Sequence, residues 1–143
     1  MNFKSRYKTQ IEMYGKDDLG NNPLFPCGFI NFGYWKGINV NSRIKFSSRV
    51  LSQINLYNEV LHLLNICDND NLLEIGCGYG YGSQIALIDY GAKSVVGIDA
   101  SKFQIERANK KIHGILKGRL TFLQSIAENI PFPDSSFNGI FSV

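Results

Sequence analysis

Four glycines, Gly76, Gly78, Gly80 and Gly82, stand at every second position directly behind the short apolar run NLLEI. Two carboxylates flank them. Glu74 comes two residues before the first glycine, and Asp99 closes a second apolar run, SVVGI, further along the chain. A loop so rich in glycine lets a ligand approach the backbone closely. An acid at the end of a second strand, roughly 20 residues past such a loop, can accept hydrogen bonds from ribose hydroxyls. Glu74 would repel a pyrophosphate and would attract an ammonium group, directly or through water. The electrostatic pattern therefore suits a ligand with a ribose, an amino-acid end and a positive centre.

Phosphate-binding alternatives fail on the letters. A P-loop needs Lys followed by Ser or Thr, and here the loop continues Tyr81-Gly82-Ser83. The dinucleotide fingerprint G-x-G-x-x-G/A, started at Gly76, puts Tyr81 where a small residue must allow close helix–strand packing. Started at Gly78, it meets Ser83. A nicotinamide-dependent oxidoreductase is accordingly disfavoured.

The elements that must position these residues follow from periodicity. Phe3, Tyr7, Ile11 and Tyr14 recur at helical spacing, and DDLGNNPLFPCG then breaks any regular element. FINFGYWKG is aromatic and punctuated by glycine; Phe29, Phe32, Tyr34 and Trp35 there suit either a core or a lid over a bound ligand. From Ser42 onward Phe46, Val50, Ile54, Tyr57, Leu61 and Leu64 describe one apolar helix stripe. After ICDNDN the pattern changes to strand–helix alternation. NLLEI is a strand, GSQIALIDYG a helix closed by Gly91 at its C′ position, and SVVGI a strand ending at Asp99. Ser101 and Gln104 then have the spacing of a capping box opening a helix, RLTFLQ is a third strand, and FNGIFSV a fourth. Such alternation predicts an α/β fold with a mostly parallel sheet.

Taken together, LLEIGCGYGYGS, VVGIDAS and AENIPFPDSSFNGIFSV resemble the class I S-adenosylmethionine-dependent methyltransferases, and in particular their small-molecule and lipid-modifying branch. The upstream FINFGYW is similar to the N-terminal cap of that branch. The resemblance covers roughly residues 29–143. It implies a Rossmann-like methyltransferase fold with a helical cap over residues 1–66 and, over 67–143, the N-terminal half of a cofactor-binding domain. It also implies S-adenosyl-L-methionine as cofactor and a small-molecule or lipid-like acceptor. Glu74 would then hold the methionine amino group, directly or through water. Gly76, Gly78 and Gly80 would give backbone access, Asp99 would bind the ribose diol, and Ala100 would lie against adenine. Gln104 would line the same pocket, and Ala127 would offer its backbone to the adenine edge. The pattern departs from the family at two positions usually occupied by Asp: Ile126, expected near the adenine amino group, and Asn138, expected near the cofactor. In the family the fourth strand is interior to the sheet, so the resemblance also implies a fold truncated after it. Self-association, or pairing with a complementing C-terminal half, is expected on that ground. A non-catalytic module that keeps the cofactor fold is the alternative.

Composition excludes several other classes. With 44% hydrophobic and 19% charged residues over 143 positions the chain is globular, about one domain in size. Its net charge of +3 comes without a long basic run, so no nucleic acid is expected as a partner. Cys27, Cys67 and Cys77 form no CxxC pair, which argues against a zinc site or a disulfide framework and fits a cytoplasmic location. No stretch is apolar enough for a signal peptide or a membrane span. Cys77 reads as a small loop residue rather than a nucleophile. His62 and His113 have no evident carboxylate partner, so no catalytic base is assigned and no metal is expected.

Overall fold

Residues 12–15, 19–112 and 116–143 are described by the computed structural model of the chain. Phe3, Tyr7, Ile11 and His113 lie outside the described residues. The long stripe forms helix α1, Phe46–Leu63. Its inward face carries the buried Tyr57 and Leu61, with Val50, Ile54 and Leu64 packed partly against the same core. Phe46 departs from the expected stripe. It is the first residue of the helix and is 67% exposed.

Strand β1 (Asn71–Ile75) leads through the glycine loop into α2 (Tyr81–Ile88). Strand β2 (Ser94–Asp99), helix α3 (Lys102–Asn109), strand β3 (Leu120–Gln124) and strand β4 (Gly139–Phe141) follow. All four strands are parallel, in the order β3-β2-β1-β4. Gly91 lies beyond the expected C′ position. Helix α2 already ends at Ile88, capped by Asp89, whose N–H donates to the Ile85 carbonyl at 2.8 Å. At φ +75° Gly91 instead reverses the chain, so that the Ala92 N–H reaches the Ala86 carbonyl at 3.1 Å.

One core joins the two regions anticipated from sequence. Phe29, Tyr57 and Leu61 from the first belong to the same buried cluster as Leu72, Val95, Phe122 and Phe141 on the sheet and Ala86 and Leu87 on α2. Each fully buried large side chain contributes about 1.5–3 kcal/mol. The irregular segment before α1 is pinned by polar contacts. Gln53 Nε2 donates to the carbonyls of Phe29 (2.9 Å) and Asn31 (3.0 Å), and the Tyr34 N–H donates to the Ser52 carbonyl at 2.7 Å.

Asn138, expected near the cofactor, stands at the end of the sheet away from the glycine loop. It sits just before β4, where its N–H donates to the Asn71 carbonyl and its Oδ1 accepts from the Asn71 N–H, both at 2.8 Å. The pair clasps the N-terminal ends of β1 and β4, the end of the sheet opposite the glycine loop.

Gly82 tests the closeness of this packing. A Cβ there would strike the Tyr57 ring and the Glu74 carboxylate. Overpacking of this kind costs about 1–3 kcal/mol, while Ala gains about 1 kcal/mol of helix propensity over Gly. Gly82→Ala should therefore lower the urea midpoint of unfolding, and an unchanged or raised midpoint would show that α2 can shift away from α1 without cost.

Candidate functional site

Strand order reverses at β1, which has β2 on one side and β4 on the other. Open α/β sheets bind ligands at the carboxyl ends of strands beside such a reversal. A cavity of about 230 Å³ lies there. Gly76 and Gly78 come to it from the loop after β1, Asp99 from the end of β2, Gln104 from α3, and Ser142 and Val143 from beyond β4. Tyr14 and Ile30 complete the wall.

Asp99 organises this site. Its Oδ2 accepts from the Gly78 N–H at 3.0 Å and its Oδ1 from the Ser101 N–H at 2.8 Å. Two further loop donors, the N–H groups of Gly76 and Cys77, reach the Ile98 carbonyl at 2.8 and 3.0 Å. The end of β2 thus holds the loop that leaves β1. Burial raises the carboxyl pKa of Asp99 and the two backbone donors oppose that rise. A carboxylate oxygen carries more than one acceptor site, so Asp99 retains capacity toward the cavity while fixing the loop.

The four glycines divide into two kinds. Gly76 and Gly78 have φ of +73° and +49°, and a Cβ at either would meet nothing within 4 Å. They leave room on the cavity side. Gly80 and Gly82 serve packing instead: a Cβ on Gly80 would strike the Phe122 ring, just as one on Gly82 would strike Tyr57. The intervening tyrosines turn toward the segment before α1. Tyr79 lies against Gly28, while Tyr81 stacks on Phe29 at 4.2 Å between centroids and donates its hydroxyl to the Cys27 carbonyl at 2.6 Å.

Glu74 is not part of the cavity wall. Its side chain lies beneath α2, 1% exposed, where it accepts the Ser83 hydroxyl proton at 2.6 Å. Burial pushes its pKa up to about 8, the Ser83 hydrogen bonds oppose this, and the Asp99 charge adds to it. The neutral acid is therefore the form that the fold favours at neutral pH.

Of the positions expected to touch cofactor, the structure brings Gly76, Gly78, Asp99 and Gln104 to one cavity and leaves Glu74, Gly80, Ala100 and Ala127 off its wall. The Ala100 carbonyl accepts from Gln124 Nε2 at 3.0 Å. Ala127 is exposed, in a turn where Ile126 and Asn129 form an isolated bridge. That turn borders a second hollow of about 250 Å³, lined by Gln124, Ser125, Ile126 and Asn129. The capping box does not form either. Ser101 is the N-cap residue of α3, yet its hydroxyl donates to the Tyr14 carbonyl at 2.6 Å, and Gln104 Nε2 donates to the same oxygen at 3.2 Å. Tyr14, Ile30, Ser142 and Val143 also line the cavity and were not expected there from the sequence: Ile30 stood in FINFGYW among aromatics that drew the attention, and Tyr14 arrives from far along the chain. Cys77 is buried, and burial raises its thiol pKa, which keeps it protonated. His62 is exposed on α1. Among the described residues no group of three metal-ligating side chains occurs, and no helix is long and apolar enough to cross a membrane.

Comparison with known proteins gives a consistent result. A family described as "Methyltransferase domain" matches residues 72–143. An O-methyltransferase of Aspergillus nomiae is 29% identical over 118 residues, which is 82% of this chain and 50% of that protein. A fatty-acid O-methyltransferase of Mycolicibacterium smegmatis is 26% identical over 116 residues, 80% of this chain and 41% of that protein. The chain thus spans half or less of the length of these curated relatives. Among solved structures, the geranyl diphosphate C-methyltransferase of Streptomyces coelicolor, in complex with Mg2+, geranyl diphosphate and S-adenosyl-L-homocysteine, aligns with a TM-score of 0.61. That alignment covers 67% of this chain and 36% of the other at 16% identity, a likeness of fold.

The buried Glu74 has a measurable consequence. Its carboxyl titrates near 4.5 when unfolded and at about 8 in the fold, so between those values the folded state holds the extra proton. Stability should fall as pH rises through that window, by up to about 1.4 kcal/mol per pH unit, and level off above it. Glu74→Gln removes this dependence. Thermal melts of the variant should change less from about pH 5 to 8 than those of the parent, whereas parallel profiles would show that Glu74 ionises normally in the fold.

Proposed function

The chain belongs to the methyltransferase-domain family, and on that footing we propose that it binds S-adenosylmethionine and serves methyl transfer to a small or lipophilic acceptor. The observation that carries this reading is the meeting of a carboxylate and an open glycine cradle at the point where the sheet reverses order. The residues fit the group. Asp99 offers acceptor capacity to a ribose diol, and Gly76 and Gly78 leave space against bare backbone. Gln104 and Ile30 shape the remaining wall, and the Tyr14 carbonyl is held in place by Ser101 and Gln104. When bound, S-adenosylmethionine supplies an electrophilic methyl carbon on a positively charged sulfur.

Recognition of the nucleoside would extend from Asp99 toward Ala100 and the hollow beside Ile126, with Ala127 in the turn between Ile126 and Asn129. Glu74 would reach the methionine ammonium only through water, and its direct work is to brace the first turn of α2 through Ser83. Gly80 acts likewise by letting α2 approach Phe122. Among the described residues the cavity wall holds one carboxylate, Asp99, already engaged with two backbone donors, and one phenol, Tyr14. The protein's contribution to transfer is therefore orientation, proximity and exclusion of water, the effects on which an in-line displacement depends most. The lipid-like acceptor is favoured by the relative named for fatty-acid O-methylation and by the aromatic segment around Ile30.

Asp99→Ala is the direct test. Hydrogen bonds to a charged group contribute about 1.5–3 kcal/mol each, and their partial non-additivity still leaves at least about a tenfold loss of affinity. Titration calorimetry with S-adenosylmethionine should show that loss in a variant that remains folded. Unaltered affinity would remove the ribose assignment. Binding by the parent chain without methyl transfer to any lipid or small acceptor would favour a non-catalytic module.

A further inference from the structure

The segment that closes one side of the cavity carries a charge pattern of its own. From Leu19 to Asn58 there is no Asp or Glu, while Lys36, Arg43, Lys45 and Arg49 supply four cations. The rest of the chain holds 11 Lys and Arg against 12 Asp and Glu. The same segment leaves large apolar side chains in solvent. Phe32 is 76% exposed and Phe46 67%, with Leu24, Val40 and Ile44 also exposed. Single exposed apolar residues are ordinary on protein surfaces. Here they interleave with cations.

Geometry joins them into one strip. Trp35 Nε1 donates to the Phe32 carbonyl at 2.9 Å, and the Arg49 guanidinium lies 5.1 Å above the Trp35 ring. Arg49 and Phe46 are three residues apart on α1 and so share a helix face. At the start of that helix, Arg43, Ile44, Lys45 and Phe46 surround an open hollow of about 440 Å³. The first turn has no acidic residue and no side-chain cap, so its backbone adds to the positive field.

We infer that this strip is a docking surface for an anionic lipid bilayer, with Phe32 and Phe46 entering the interface and Arg43, Lys45 and Arg49 facing the lipid phosphates. Aromatic side chains beside Lys and Arg are the composition that holds peripheral proteins in the headgroup region. Charge decides between occupants. A second copy meeting through the same strip would set cations against cations, and the remainder of the chain has almost no acidic surplus to offer in exchange. A bilayer rich in anionic headgroups supplies both an apolar layer and the opposite charge. Phe32 is two residues from Ile30 in the cavity wall, so docking here would bring the lipid surface beside the cavity. The inference does not depend on the methyltransferase reading, because lipid binding is measured without turnover.

Co-flotation of the chain with vesicles tests it. Vesicles of phosphatidylcholine containing one third phosphatidylglycerol should carry the protein upward, less so as salt is added, and pure phosphatidylcholine vesicles should leave it behind. At about fivefold per basic side chain near the surface, Arg43→Gln with Lys45→Gln should lower partitioning about 25-fold. Phe32→Ser should lower it at least about tenfold. Lys102→Gln with Lys110→Gln, the same charge change at the first residue and the C-cap of α3, should leave partitioning within about twofold of the parent. Circular dichroism of each variant establishes that it is folded. Failure to float, equal flotation with neutral vesicles, or an equal loss in the α3 variant would each overturn the assignment. So would light scattering that shows a dimer dissolved by Phe32→Ser in protein that does not bind vesicles.

Discussion

The glycine loop at the cavity depends on one carboxylate with two backbone partners. Asp99 accepts from Gly78 on one side and from Ser101 on the other, and thereby joins the glycine loop of β1 to the start of α3. Without it the loop would lose the Gly78 N–H from the three backbone donors that tie it to the end of β2. A loop with left-handed residues at Gly76, Gly78 and Gly80 has much conformational freedom to lose on folding. Three consecutive N–H groups directed at the end of β2 limit that freedom and keep the bare backbone facing the cavity.

The segment before α1 is fastened to the outer side of the same loop. Tyr81 holds the Cys27 carbonyl and the Phe29 ring, and Tyr79 packs against Gly28. The loop therefore has a cavity side made of glycine backbone and a packing side made of tyrosine. Gln53 completes the arrangement by taking the carbonyls of Phe29 and Asn31 from α1. Ile30, between them, is delivered to the cavity wall by contacts that its neighbours make. In the same way Tyr14 is placed by Ser101 and Gln104, whose side chains hold its carbonyl.

Beneath the loop, Glu74 lies against Ser83, Gly82 and Tyr57. An acid here is costly when ionised, since burial removes its water and Asp99 adds a second negative charge. The Ser83 hydroxyl offsets part of that cost. Burial also raises the hydroxyl pKa of Tyr57, with Glu74 adding to the shift, and the two side chains meet beside Gly82, between α1 and α2.

Local sequence determined the elements and their order. NLLEI and SVVGI became strands because apolar, β-branched runs suit a sheet buried on both faces, and glycine at 76 and 78 was required by backbone angles that other residues adopt poorly. Asp99 was legible as a residue of the cavity because the end of a strand beside a glycine loop has a fixed place in a parallel sheet. What tertiary structure decided was direction and partnership. Adjacent strand residues point to opposite faces, and Glu74 was carried beneath α2 instead of into the cavity. Ser101 and Gln104 have the spacing of a capping box, yet a carbonyl from Tyr14, far away in sequence, drew both side chains. Asn138 occupies a family position expected near cofactor, and the parallel register set it at the opposite end of the sheet beside Asn71. The last two outcomes turned on contacts between residues distant in the chain, and spacing along a sequence carries no information about which distant group will arrive.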